Sequence, residues 1–485
     1  MTPLGLRTRR LTDRRIVSRG RDYVLCWIQQ ALRAEDNPVV DAAIALGNDR
    51  SLPVVVVHTL ENRYPHASAR LHRFILEASQ SLGPGLRARG LRVERWVRPA
   101  DPDAPSTVDV VARLAERAAA VVLGDVPTFV THDYAKRLAA ALPRAVLAVD
   151  ACTLVPMNAF PERLGSTKAF RAAHTPLRAE HLAVDTTRAP EHGPFEGDLD
   201  LSGGLDLAGF ENLDADGLDA LIAQTGVDPS LPPAPDFRGH REAALARLRH
   251  AVRTVVPRYK WTRNNPALPD STSQLSPWMH FGVVSPREVV LEVDAAIERG
   301  DVPRAARWKF LDETLTWREV NLHRARFVPD AAAYETVPGW ARRTLAEHAG
   351  DPRPAIYPLD ALVHGETDDE VWNAAQKQFL YEGWMHNNLR MYWVKQILKW
   401  RPTPEDAWAT AVYLNDRLSL DGRDAATYGG IRWGFGESKR ASSEAAVYGW
   451  VPRKTSGALR RRDGVPAWLA EQAARAPYRI SVPEG

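Results

Sequence analysis

Four stretches of this 485-residue chain carry residue types that could do electron-transfer, acid or anion-binding chemistry. In WNAAQKQFLYEGWMHNNLRMYWVKQILKW (372–400), tryptophans stand at 372, 384, 393 and 400. Trp393 and Trp400 are two helical turns apart, so they share a face with ~10 Å of axial rise between them. A bulky core seam and a one-electron relay both fit that spacing, and position alone does not separate them. In FLDETLTWREV (310–320), Glu313 and Trp317 are an i, i+4 pair that projects a carboxyl and an indole from one helix face, with Arg318 and Glu319 pointing elsewhere. Such a pair belongs either to a salt-bridged surface helix or to a grip on a planar, amide-bearing ligand such as a pyrimidine. In YKWTRNNPALPDSTSQLSPWMHFG (259–282), Ser271, Thr272, Ser273 and Ser276 precede a helical start. Hydroxyls and backbone N–H groups there can cradle a phosphate or simply cap the helix. Finally, LNDRLSLDGRDAATYGGIRWGFG (414–436) runs from a helix end into a loop rich in Asp and Gly. Asp421 is a natural partner for Arg390, because either charge is costly to bury singly.

The elements that must position these residues fall into two halves. The first alternates short apolar runs, YVLCWI (23–28), LPVVVVHTL (52–60), LRVERWV (91–97), AAVVLGD (119–125) and RAVLAVD (144–150), with amphipathic segments. That alternation predicts a Rossmann-like parallel sheet wrapped by helices. No G-x-G-x-x-G follows the first run, so the ordinary dinucleotide fingerprint is absent. The carboxyl ends of the strands are still where such a sheet takes a ligand. Beyond residue 236 long helical periods take over, and 13 of the 15 tryptophans lie there. The expected layout is a flexible basic arm (1–20), an α/β domain (21–185), an acidic interdomain linker (186–236) and an all-helical domain (237–485).

Composition narrows the class. The chain is 45% hydrophobic and 25% charged, which is globular. No 18-residue uncharged apolar run offers a membrane span. The start carries seven arginines within 22 residues but no apolar h-region, so it does not read as a secretory signal. Two cysteines, Cys26 and Cys152, fit a reducing cytoplasm and exclude a disulfide framework or a cysteine zinc site. There is no H-E-x-x-H, no G-x-S-x-G, no Walker loop and no EF-hand spacing, so neither a metal site nor a hydrolase is expected. Net charge is only +3, yet it is uneven: Glu191 to Asp236 holds eleven acids and no Lys or Arg, whereas PRKTSGALRRR (452–462) holds five basic residues and no acid. That basic run suits either contact with a polyanion or a solvated tail.

SQLSPWMHFGVVSPREV, WNAAQ, GWMHNNLRMYW and LNDRLSLDGRD together resemble the photolyase/cryptochrome superfamily, and WNAAQ…MH…LRMYW…ILKW…YLND…LDGRD is similar to class II cyclobutane pyrimidine dimer photolyases. The resemblance runs over nearly the whole chain. It implies an α/β antenna domain followed by an all-α FAD-binding domain, and a carbon–carbon lyase that repairs UV-damaged DNA under blue light; a monomer is the default expectation. Reduced FAD would be the electron donor. By the same resemblance, Tyr259 with Ser271, Thr272, Ser273, Gln274, Leu275 and Ser276 would hold the FAD phosphates and ribityl chain. Arg390 and Asp421 would flank the flavin ring with Asp424 nearby, and Asn415 would face its N5. Glu313 would hydrogen-bond the dimer, Trp317, Tyr357, Met391 and Trp433 would line the dimer pocket, and Arg453 would hold DNA phosphate. Trp393, Trp372 and Trp400 would form the photoreduction chain in that order outward, with Trp384 left as core. The chain departs from the class pattern in MHNN (385–388), in GESKRASSEAAVYGW (436–450) and in WIQQALRAEDN (27–37), the last of which bears on whether an 8-hydroxy-deazaflavin, a folate or nothing serves as antenna. A cryptochrome-type photoreceptor, a (6-4) photolyase and a flavin-containing DNA-binding protein without photochemistry are the alternatives. The (6-4) reading needs a histidine acid at the pocket from among His280, His364 and His386.

Overall fold

The computed structural model describes residues 3–437, 442–476 and 478–482. Six strands, β1 (Thr8–Arg10), β2 (Tyr23–Ile28), β3 (Val54–Leu60), β4 (Arg92–Val97), β5 (Ala118–Gly124) and β6 (Ala145–Val149), make one sheet in the order β1-β6-β5-β2-β3-β4. β2 to β6 pair in parallel, and β1 lies antiparallel on β6. β2 and β3 are buried at every position. This is why they read as unbroken apolar runs rather than alternating ones: helices cover both faces. The strand order reverses between β2 and β5, which opens a crevice at their carboxyl ends.

Two expectations about the first half need correction. The basic arm is docked over its second part: Pro3–Arg7 is a helical turn and Thr8–Arg10 is β1. Arg7 is buried and donates to the carbonyls of Asp150, Thr153 and Leu154. An arginine-rich segment becomes ordered here because main-chain carbonyls satisfy its guanidinium. The acidic stretch is likewise more than a connector. Its helix Ala215–Ala223 buries Leu218, Leu221 and Ile222 in a cluster with Leu60, Leu76 and Val97, and Leu205 donates its N–H to the Val97 carbonyl at the β4 edge.

From Arg241 to Ala474 every regular element is helical among the described residues. Asp369 caps the helix Glu370–Glu382 by accepting the Val371 and Trp372 N–H groups, and Gly383 ends it in the left-handed region (φ +65°). His386 then caps Asn387–Trp400. This hairpin brings the tryptophans of the two helices together. Among the described residues, no helix is long and apolar enough to cross a membrane.

The halves share one hydrophobic core that runs from Val24 and Val56 through Phe74 to Trp278 and Leu315. Buried charges tie them as well. Arg33 donates to the Gly282 carbonyl at 2.7 Å, and a Cβ on Gly282 would sit 2.6 Å from Ala31 Cα, so only glycine permits this approach. Glu319 is fully buried; it takes the Leu154 N–H at 2.8 Å and faces His174 Nε2 at 2.7 Å. Truncating it strands a buried histidine and a buried N–H. Glu319→Ala is therefore expected to cost about 3–5 kcal/mol, read as a lowered urea midpoint. A midpoint unchanged from the parent would show that the Glu319 contacts add nothing to the joining of the domains.

Candidate active site

A cavity of about 780 Å³ opens in the helical half. One wall is a continuous helical stretch, Arg304–Leu311, Asp312–Thr316 and Trp317–Ala325, whose middle is a π-turn closed by the Trp317 N–H on the Asp312 carbonyl. Glu313 and Trp317 both line the cavity, as their spacing predicts. Arg318 lines it too, contrary to expectation. The π-turn is the reason: its i→i+5 closure brings residue 318 round beneath residue 313, where a straight α-helix would carry it away. Glu313 is paired with Arg263 at 3.0 Å and with Lys309.

The floor comes from Asn387–Trp400 and the loop after Leu418. Arg390 Nη2 lies 3.0 Å from Asp421 Oδ1, and both side chains are buried against the cavity. Burial pushes the Asp421 pKa up, but the Arg390 charge, with hydrogen bonds from Ser276 and Ser419, holds it below the usual carboxylate range. Asp424 takes Arg318 Nη1 at 2.6 Å and His280 Nδ1 at 3.1 Å, and caps the helix Ala425–Arg432 through the Ala426 N–H. Here too burial is opposed and outweighed, chiefly by Arg318, so Asp424 stays ionised far below the ordinary range.

Thr272, Ser273, Gln274, Leu275 and Ser276 line the cavity opposite Tyr259. Arg247 pins their loop by donating to the Ser273 and Thr272 carbonyls. Thr272 Oγ1 is buried without a hydrogen-bond partner, as is Arg390 Nε. Orphaned polar atoms on a cavity wall are what a polar ligand would satisfy. Ser271 is buried away from the wall. Met391 and Trp433 line the cavity; Trp384, expected as core, does as well. Asn415 does not reach the wall. It is fully buried behind it, accepting from Arg390 and donating to Asp416 and Thr427. Two further residues also stand apart. Tyr357 packs its ring edge on Trp400 at 5.1 Å and bonds Asp368, outside the cavity. Arg453 is exposed and bonds Ser443, while its neighbour Lys454 is the one that lines the cavity. Of the departing segment 436–450, residues 438–441 lie outside the described residues.

The tryptophans make a contact path. Trp393 and Trp372 lie parallel, 6.3 Å between centroids and 2° between planes, and Trp372 meets Trp400 edge-on at 5.3 Å. Trp372 thus sits between the other two. All three are buried, and the indole N–H groups of Trp372 and Trp393 donate to the Trp393 carbonyl and to Gln376.

This chain belongs to the DNA photolyase family. The family model described as DNA photolyase matches residues 24–192. A deoxyribodipyrimidine photo-lyase of Methanothermobacter thermautotrophicus is 31% identical, over 91% of this chain and 92% of its own. Among solved structures, a Synechocystis cryptochrome superposes with a TM-score of 0.64 at 17% identity, covering 93% of this chain and 88% of its own. A Sulfolobus tokodaii photolyase with two FAD molecules does so at 0.61 and 18%, covering 92% and 89%. The photolyase/cryptochrome fold is therefore that of this chain, an α/β domain with a parallel sheet followed by a helical domain.

Sequence reasoning passed over Lys395. It is buried one turn from Met391, with Nζ unpartnered and 5.7 Å from the Trp433 ring centroid. Burial, with Lys454 nearby, lowers its pKa to about 7 from 10.5. Between those values the unfolded chain holds more protons, so stability rises with pH through that window, and the penalty is complete below pH 7. Lys395→Met removes the group. Its gain in Tm over the parent is expected to be larger at pH 6 than at pH 10; an equal gain at both would show that the ammonium is not penalised.

Proposed function

We propose that the protein is a class II light-driven DNA repair lyase that splits cyclobutane pyrimidine dimers. The supporting observation is one cavity that joins a carboxylate and two indoles, Glu313, Trp317 and Trp433, to a buried Arg390–Asp421 pair. FAD fits this cavity: the unpartnered Thr272 hydroxyl and the loop through Ser276 suit phosphate and ribityl oxygens, and the ion pair suits a flavin ring. When bound and reduced, FAD would supply a light-activated electron. The rest is done by this chain. Trp317, Trp433 and Met391 offer apolar, planar surface to two linked, neighbouring pyrimidines of one strand taken out of the helix, which is cheapest where stacking is already damaged. Glu313 would hydrogen-bond the dimer, and Arg263 and Lys309, which hold it, would set cations where negative charge gathers on the pyrimidine carbonyls, so that the contact with those cations strengthens as the reaction proceeds. Asn415 acts through Arg390 and Thr427, which line the cavity in front of it. Arg453 and the basic residues through Arg462 face DNA phosphates.

The cryptochrome reading leaves the Glu313–Trp317 mouth without a task. The (6-4) reading lacks its histidine, because no histidine lines the cavity among the described residues: His280 is bonded to Asp424, His364 to Arg479, and His386 caps a helix. The crevice at the strand ends carries unpartnered Gln29 Nε2 and Tyr64 OH, yet encloses only about 80 Å³, too little for a whole deazaflavin or folate. No light-harvesting step is assigned to it.

Illumination of the reduced protein with dimer-containing DNA should remove dimers; a reduced, FAD-loaded protein that binds this DNA and leaves the dimers intact overturns the proposal. Glu313→Gln should lower repair per photon about tenfold, equivalent to ~1.4 kcal/mol and typical of one charge-assisted hydrogen bond, with FAD retained. Trp400→Phe keeps apolar bulk. It should impair light-driven reduction of oxidised FAD while chemically reduced protein still repairs. Normal photoreduction in Trp372→Phe, Trp393→Phe and Trp400→Phe alike would leave these tryptophans as packing only.

A further inference from the structure

Two short motifs at the edge of the cavity mirror each other: Tyr259-Lys260-Trp261 and Trp308-Lys309-Phe310. Residues two apart on a helix point to nearly opposite sides. Accordingly Tyr259 and Phe310 turn inward and meet edge to face at 5.3 Å, joining the helices Tyr259–Thr262 and Arg304–Leu311. Trp261 and Trp308 turn outward and are 73% and 63% exposed, more than any other large apolar side chain among the described residues. A lysine ammonium lies 5.8 Å from each ring, Lys260 on Trp261 and Lys309 on Trp308. Arg258, Lys260 and Arg304 on the same two segments are exposed and form no ion pair among the described residues. The patch adjoins the cavity, since Tyr259 and Arg263 line it and Lys309 holds Glu313.

We propose that Trp261 and Trp308 form a stacking platform for unpaired bases of the DNA next to the extruded dimer, with Lys260 and its neighbouring arginines on the phosphates. Exposed indoles flanked by uncompensated cations match single-stranded nucleic acid in both of its parts, the base faces and the backbone. The platform rests on the repair reading above but is separable from it.

The test compares the parent with the Trp261→Ala/Trp308→Ala double variant, both loaded with FAD, on oligonucleotides carrying one dimer. Both positions are at the surface, so folding and FAD content should be unchanged. Affinity for the single-stranded oligonucleotide should fall about tenfold, with a smaller loss for the fully paired duplex, while repair per photon at saturating DNA stays at the parent level. Lys260→Gln should flatten the salt dependence of binding by about one unit of slope. Unchanged affinity for both oligonucleotides, or an equal loss on both, overturns the platform. A parent that neither binds nor repairs the dimer overturns the repair reading instead.

Discussion

The Asp424 carboxylate is the constraint on which the site depends. A buried ionised carboxylate is tolerable only when its oxygens are occupied by donors. Asp424 meets that demand with a guanidinium from one wall, an imidazole from His280 and a helix N-terminus from the floor. Three segments far apart in sequence are fixed by one charge. The same arrangement sets the neighbouring loop, where Asp421 must find Arg390 and Asp416 must find the Arg423 N–H and Tyr428. A cavity wall that carries this many desolvated charges cannot relax without uncovering one of them, so the wall is held rigid.

The packing of the tryptophans suits both uses open to them, a core seam and the proposed relay. Trp372, Trp393 and Trp400 belong to the core of the helical half and also touch in series. A core seam and the proposed relay call for the same arrangement, because burial fixes ring distance and orientation. Oriented rings kept from water are what any electron path through protein requires, and the hairpin at Gly383 supplies that order.

Much of this was legible in the sequence. Continuous apolar runs marked the parallel strands, helical periods marked the second half, and the Glu313–Trp317 spacing and the Arg390–Asp421 pair both brought side chains to one cavity. What was not legible depends on departures from regular geometry or on distant partners. The π-turn moved Arg318 onto the wall, and no residue type in DETLT announces such a turn. Arg7 reads as a solvated charge until the carbonyls near Asp150 are in place to receive it. Lys395 and Lys454 look like ordinary surface residues of a basic helix and tail, since burial of a lysine follows from tertiary packing and leaves no local pattern.

The acidic stretch laid along the β4 edge has a consequence for encounter. With a net charge of only +3, the molecule has little monopole to attract DNA. Yet residues 1–236 carry 30 acids against 27 Lys and Arg, and residues 237–485 carry 30 against 36, so the two halves sum to −3 and +6. Charges so divided form an electric dipole moment. A polyanion approaching within about a Debye length, ~10 Å at 0.1 M salt, exerts a torque that turns the cavity toward it before any contact is made.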